Sequence, residues 1–334
     1  MVWTAERTTV NQKVQIGAEA TTALGTAVAA SKLLEMFSFD FGIEADINFY
    51  RATGRKYPAT QEENTEWSSV GITGNLDYNG AIYPLAGVFG SASPVAHGAS
   101  STAKDWIFTP PLTGSIVPQT YTVQQGGDVR AHQVAYGLFT DFGYKGTRKD
   151  FTCSATMIAQ AISDGITMTS NPTAVAIAPI LGKHVNVYLD TTSAGLGTTQ
   201  LTRVLSVDCN LGGYYGPLWV LNRANGSWTA HIDLVPKATI KIKVEADANG
   251  MAMLGYLQSG TTYYLRVNAT GNVIDTPNSI SNVFQHDMAV KFGKPSKFQD
   301  DQGVFAIEWE ATIVEDSTWG KSQTITVTNL LTAL

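Results

Sequence analysis

The chain has 334 residues, 15% of them charged, and a formal net charge of −6. Such a length holds two domains of ordinary size, each with its own core, while the acidic balance excludes the basic footprint of a sequence-specific nucleic-acid binder. The two cysteines, Cys153 and Cys209, fall in strand-like runs and read as buried free thiols.

Residues 1–31 are rich in Ala, Thr and Gly, with few large apolar side chains. They predict an N-terminal arm, either mobile or ordered by a neighbouring subunit. The segment lacks the basic start and apolar core of a secretory signal, and no stretch of the chain approaches the about 18 apolar residues of a spanning helix, so no membrane insertion is expected. Residues 33–50, LLEMFSFDFGIEADINFY, alternate through Phe37, Phe39, Phe41, Ile43 and Ile47, the period of a half-buried strand. Residues 51–68 then turn polar, carry both signs of charge and contain Gly54 and Pro58, which predicts a long exposed loop or the tip of an extended hairpin. A strand over 70–78, an Asn79-Gly80 turn and a short helix over 81–89 follow, with Pro84 tolerated near the helix start. Residues 131–142 and 150–159 read as an antiparallel hairpin, and 163–179 as a linker or edge strand.

The second half repeats this order, with strands over 204–210, 227–234 and 239–246, a turn at Asn249-Gly250 and a short helix over 251–258. Phe142-Gly143 matches Phe292-Gly293, Ala155-Thr156 matches Ala311-Thr312, and residues 37–40 match 205–208. Matching blocks in one order predict an internal duplication: a mainly β chain of two tandem β-sandwich or barrel units, each with one short α-helix, over residues 32–165 and, after a linker, 166–334.

Catalytic constellations are missing. The five histidines show no helical zinc spacing, and there is no Walker lysine loop, GxSxG elbow or CxxC pair. Glu62, Glu63 and Glu66 form a carboxylate cluster, but Arg55 and Lys56 beside it favour a solvated interaction tip. The tryptophans read as core or subunit interface before sugar platform. No catalytic, metal or cofactor residue is assigned, and an enzyme is not expected.

Several blocks together resemble the tail tube, or major tail, proteins of long non-contractile-tailed bacteriophages. They are Val14-Gln15-Ile16-Gly17 with Glu19 and residues 25–30 (GTAVAA), Tyr50-Arg51-Ala52-Thr53-Gly54 with Tyr57-Pro58, and Glu66-Trp67 leading to residues 71–78 and Tyr83-Pro84-Leu85-Ala86. The likeness covers about the first 90 residues; Thr22-Ala23-Leu24 stands where the family often has a proline. It implies tube modules that close six to a ring, rings that stack, and a polymer in the virion tail, assembled in the host cytoplasm. Its implied partners are other copies of itself, the tape-measure protein, the tail terminator and tail-tip proteins, and DNA passing non-specifically during ejection. Two modules per chain favour a trimeric ring of pseudo-sixfold symmetry, with a hexamer as the alternative. Arg51, Arg55, Lys56, Glu62, Glu63, Glu66 and Trp67 would then form an inter-ring loop, and Gln15, Ile16 and Glu19 belong to the arm. The competing expectations are a carbohydrate-binding or adhesive β-sandwich module and a hydrolase using Asp40 and Asp208 as quasi-equivalent carboxylates.

Overall fold

Period-two alternation sets the long strands. The computed structural model describes residues 9–127, 129–221 and 226–334, and the chain is mainly β. Its first half runs through β1 (Lys13–Ala18), β2 (Lys32–Leu34), β3 (Phe37–Tyr50), β4 (Thr60–Asn75), helix α1 (Ile82–Phe89), β5 (Val95–Ala96), β6 (Lys104–Phe108), β7 (Tyr121–Gly126), β8 (Ala131–Thr147), β9 (Phe151–Ala159), β10 (Ser163–Ile166) and β11 (Thr173–Ala174). The second half comprises β12 (Val185–Asp190), β13 (Val204–Gly212), β14 (Tyr215–Leu218), β15 (Ala230–Asp233), β16 (Lys237–Glu245), helix α2 (Ala248–Ser259), β17 (Tyr263–Asp275), β18 (Ile280–Phe292), β19 (Gln299–Asp301), β20 (Val304–Ile313) and β21 (Gln323–Asn329).

Both halves use one set of antiparallel pairings. In the first, β3 pairs with β4, β4 with β9, β9 with β8, β8 with β7 and β10, and β7 with β1. In the second, β13 pairs with β16, β16 with β20, β20 with β18, β18 with β17 and β21, and β17 with β12. The register corresponds as well: Phe39, Ile72, Ala155 and Phe142 lie side by side across the first four strands, and Cys209, Ile240, Ala311 and Phe292 across their counterparts. Residues 37–40 therefore align with 207–210, two residues on from the expected 205–208, a slip that the period of two leaves invisible in the sequence. Each half is a sandwich in which one long strand, β8 or β18, serves both layers. Residues on both faces of these strands are buried where they pass between layers, at 136–139 and 286–290.

The two short helices form where the sequence predicts them, yet differ in environment. Every residue of α1 is buried, as an all-apolar helix requires. Helix α2 is capped by Asp247, whose side chain accepts from the Gly250 amide, and by Gly260 in the left-handed region, but buries only Gly250 and Met253.

The N-terminal segment departs from expectation. The part of it within the described residues is no arm awaiting a neighbour, because β1 lies between β2 and β7 of its own chain and Ile16 is fully buried. Long-range pairing holds it, which a local count of apolar residues does not detect. Residues 1–8 of the expected arm lie outside the described residues. Gln15 and Glu19 are buried as well, and the Glu19 carboxylate accepts from the Gly25 and Tyr136 amides, both at 2.9 Å, and from the Thr120 and Thr122 hydroxyls at 2.8 and 3.0 Å. Removing the carboxylate strands four donors, so Glu19→Ala is expected to lower stability by about 3 kcal/mol or more, and Glu19→Gln by less. Urea unfolding midpoints of the two variants check this; a near-neutral Glu19→Ala contradicts it.

Candidate assembly surface

The first half does not end in an open sheet. Beyond its junction with β7, β8 continues and pairs with β13, from Asp141 opposite Gly212 to Thr147 opposite Ser206. One sheet therefore runs β3-β4-β9-β8-β13-β16-β20-β18 through the whole chain. Its inner face carries the buried rows named above, joined across the junction by Phe142 opposite Leu211 and Tyr144 opposite Cys209.

A buried hydrogen-bond chain fastens this junction. Gln323 Nε2 donates to Tyr214 Oη at 3.0 Å, which turns Gln323 Oε1 toward His286 Nε2 at 2.9 Å. The imidazole therefore donates from Nε2 and accepts at Nδ1 from Tyr144 Oη, 2.8 Å away. Complete burial drives the His286 pKa down from 6.5 to about 4. The same burial pushes the Cys153 and Cys209 thiols up to about 12, leaving them protonated and unreactive.

A second tie is made by β14 and β15, a two-stranded arm that leaves the sheet at Gly213, which has a positive φ of 74°. The arm lies against the first half. Tyr215 Oη donates to the Val88 carbonyl of α1 at 2.9 Å, the Tyr214 ring meets Phe89 edge-on at 5.5 Å, and Tyr136 contacts both Trp228 and His231. Trp219 meets Trp67 edge-on at 5.5 Å, and the Glu66 amide donates to the Gly226 carbonyl at 3.0 Å. The strand expected over 227–234 forms as β15, but sequence reasoning missed β14 and the pairing that makes the arm. The apolar aromatics Tyr214, Tyr215, Trp219 and Trp228 around a Gly-rich link were the available signal.

The predicted loop proves to be the outer part of the β3–β4 hairpin, the second of the two forms expected, and β4 extends through the latter half of the segment read as loop, residues 60–68. Arg51, Arg55 and Lys56 lie in the connection 51–59, where Arg51 Nη1 donates to the Arg55 carbonyl at 2.8 Å. Glu62 and Glu63 are exposed on β4. Partial burial, then the neighbouring Glu63 carboxylate, raise the Glu66 pKa. Glu66 and Trp67 differ from the rest, being held within their own chain by Gly226 and Trp219. Thus Gln15, Ile16 and Glu19 are drawn into the first core, whereas Arg51 to Glu63 project from it.

The alternative sites do not come together. Asp40 and Asp208 sit on β3 and β13, four strands apart and so about 19 Å across the sheet. Trp106, Trp228 and Trp309 are fully buried, each donating its indole N–H within the chain. Among the described residues no group of three or more His, Cys, Asp or Glu is placed to hold a metal ion, and no helix is long and apolar enough to cross a membrane. No protein-family model matches the chain, and no curated protein matches it.

The junction carries a pH signature. An unfolded His286 takes up its proton near 6.5 and the folded one only near 4, so the unfolded state binds more protons between these values. This contribution to stability is complete above pH 6.5 and is lost as pH falls through 4, on the order of 3 kcal/mol in all. Asp77, whose carboxyl burial raises to about 6, works in the opposite sense. Comparing wild type with His286→Gln removes that contribution: wild type is expected to lose its stability advantage between pH 6.5 and 4 in urea unfolding, and parallel profiles would refute the assignment.

Proposed function

We propose that this chain is a tube-forming structural subunit, the tail tube protein of a long non-contractile-tailed phage, and that its two halves descend from one duplicated module. The observation that carries the reading is the β8–β13 junction, at which one sandwich hands its sheet directly to a second with the same pairings. The chain ends of that sheet offer the same two edges again. Among the described residues β3 pairs with β4 alone, and past Val290 the end of β18 keeps β20 on one side with no strand on the other. Residues 293–296 prolong that edge alongside β20, through the Gly293 and Ser296 amides. Open edges of this length invite strand addition, and joining them between copies removes them. With two modules per chain, three chains supply 3 × 2 = 6 modules and close a pseudo-sixfold ring.

The outer face of the continuous sheet suits a channel wall. It presents Ser38, Thr73, Ser154, Thr156, Asn210 and Thr312, with no large apolar side chain among them. Across the junction and the second half its charges alternate between strands, Lys145 with Asp208 at 3.5 Å and Lys241 with Glu310 at 3.7 Å, and Asp40 and Asp141 add carboxylates on β3 and β8. Paired charges and small hydroxyls offer phosphate little to bind, so DNA slides past, where an unpaired basic wall would retain it. This lining is more balanced than the net charge of −6 alone conveys. Stacked rings would enclose the tape-measure protein until ejection.

Electron microscopy of the purified chain over a range of concentrations tests the proposal. Rings or tubes with a central channel and threefold or near-sixfold top views are expected. Uniform monomers at every concentration would reject it, and glycan binding by those monomers would favour an adhesive module instead.

A further inference from the structure

The β14–β15 arm has a counterpart that is held at its base, by Trp219 against Trp67 and by Gly226 at the Glu66 amide, and projects beyond it. Aligned through the shared register, it corresponds to the outer half of the β3–β4 hairpin. The first of these arms covers α1 of its own chain. The second projects with Ile43 65%, Ile47 40% and Phe49 62% exposed, on the odd-numbered side that further back carries the buried Phe37 and Phe39. A matching vacancy exists at the other end of the chain. Helix α2 occupies in the second half the place of α1 in the first, following the second strand of the four-strand row, yet Leu254 is 40% exposed and Met251 and Leu257 are only partly covered. Part of the cover that α1 has and α2 lacks is the β14–β15 arm, through Tyr215 and Tyr214; α1 is also the more apolar helix and is tied in addition to Gln119 and Tyr121.

We infer that the β3–β4 arm of one copy seats its Ile43, Ile47 and Phe49 stripe on helix α2 of a neighbouring copy, repeating between chains the contact that the β14–β15 arm makes with α1 within one. The inference rests on the proposed edge-to-edge assembly and adds to it a partner for the projecting hairpin. The occupant is a second copy because the chain itself displays the equivalent contact, with the strand edge and the arm engaging the same sandwich together: β13 on β8, and β14–β15 on α1. The hairpin that reads as a contact between stacked rings is thus assigned, along this stripe, to a contact between neighbours joined by their sheets. Its charged connection, with Arg51, Arg55 and Lys56, lies beyond the stripe.

The test replaces Phe49 with photoreactive benzoylphenylalanine in the full chain, irradiates the assembled protein and maps the adducts by mass spectrometry. Intermolecular adducts within residues 248–259 are the expected result. Leu254→Asp, a change at an exposed position, is expected to leave the circular dichroism spectrum unchanged and to lower the yield of those adducts about tenfold. Assemblies visible by electron microscopy whose adducts fall elsewhere, or that yield none, would overturn this inference and leave the tube reading standing. A chain that neither assembles nor crosslinks would overturn both.

Discussion

Antiparallel pairing of β8 with β13 is the constraint on which the rest of the structure depends. It merges two sandwiches into one eight-strand wall, aligns the buried rows of both halves, and brings Tyr144 beside His286 and Cys209 in a sealed polar chain. It also decides where the β14–β15 arm can reach, since that arm leaves the sheet one residue beyond the paired segment. Buried polar chains of this kind are stable only when every member is satisfied. Here the Gln323 amide fixes the imidazole tautomer, and the imidazole fixes the Tyr144 hydroxyl.

A sandwich built in this way leaves edges at both ends of its wall. Natural β proteins blunt such edges with charges, bulges or covering loops, or close them by association. The outer edge of β3 carries Phe37 and Phe39 on its inner side and runs on into an exposed apolar stripe, which argues for closure over blunting. The wet face of the same wall carries short hydroxyls and paired charges. Association at the edges and inertness on the face are what a conduit built from repeated subunits requires.

Local patterns made much of this legible. Alternation at Phe37 and Phe39, the Asn79-Gly80 turn before α1, and the Phe142/Ala155 and Phe292/Ala311 blocks all mark elements that form, and the last two prove to be cross-strand neighbours of identical register. Asn249-Gly250, which reads as a turn, lies instead in the first turn of α2, where the Asp247 cap starts the helix early. What stayed hidden was set by distant partners. Ile16 is buried because β2 and β7 flank it, although its own segment is poor in apolar residues. Helices α1 and α2 fall at equivalent places in the two halves, and the all-apolar composition of α1 is legible, but the β14–β15 arm that helps to cover it comes from more than a hundred residues away. Glu19 reads as part of a tail, yet four donors converge on it from residues that only tertiary structure brings near. The projecting hairpin is visible as a change of composition at Arg51, but its apolar stripe lies on β3, before that change.

Hydrogen exchange on the assembled and the dissociated chain tests the central claim most directly. If copies join as the halves do, the amides of residues 37–42 and 291–296 that face away from β4 and β20 gain protection on assembly, while those of 206–212 are protected in both states because β13 is already paired with β8 and β16. Equal, fast exchange of both outer edges in the assembled and dissociated states would show that the sheet does not continue from one copy to the next.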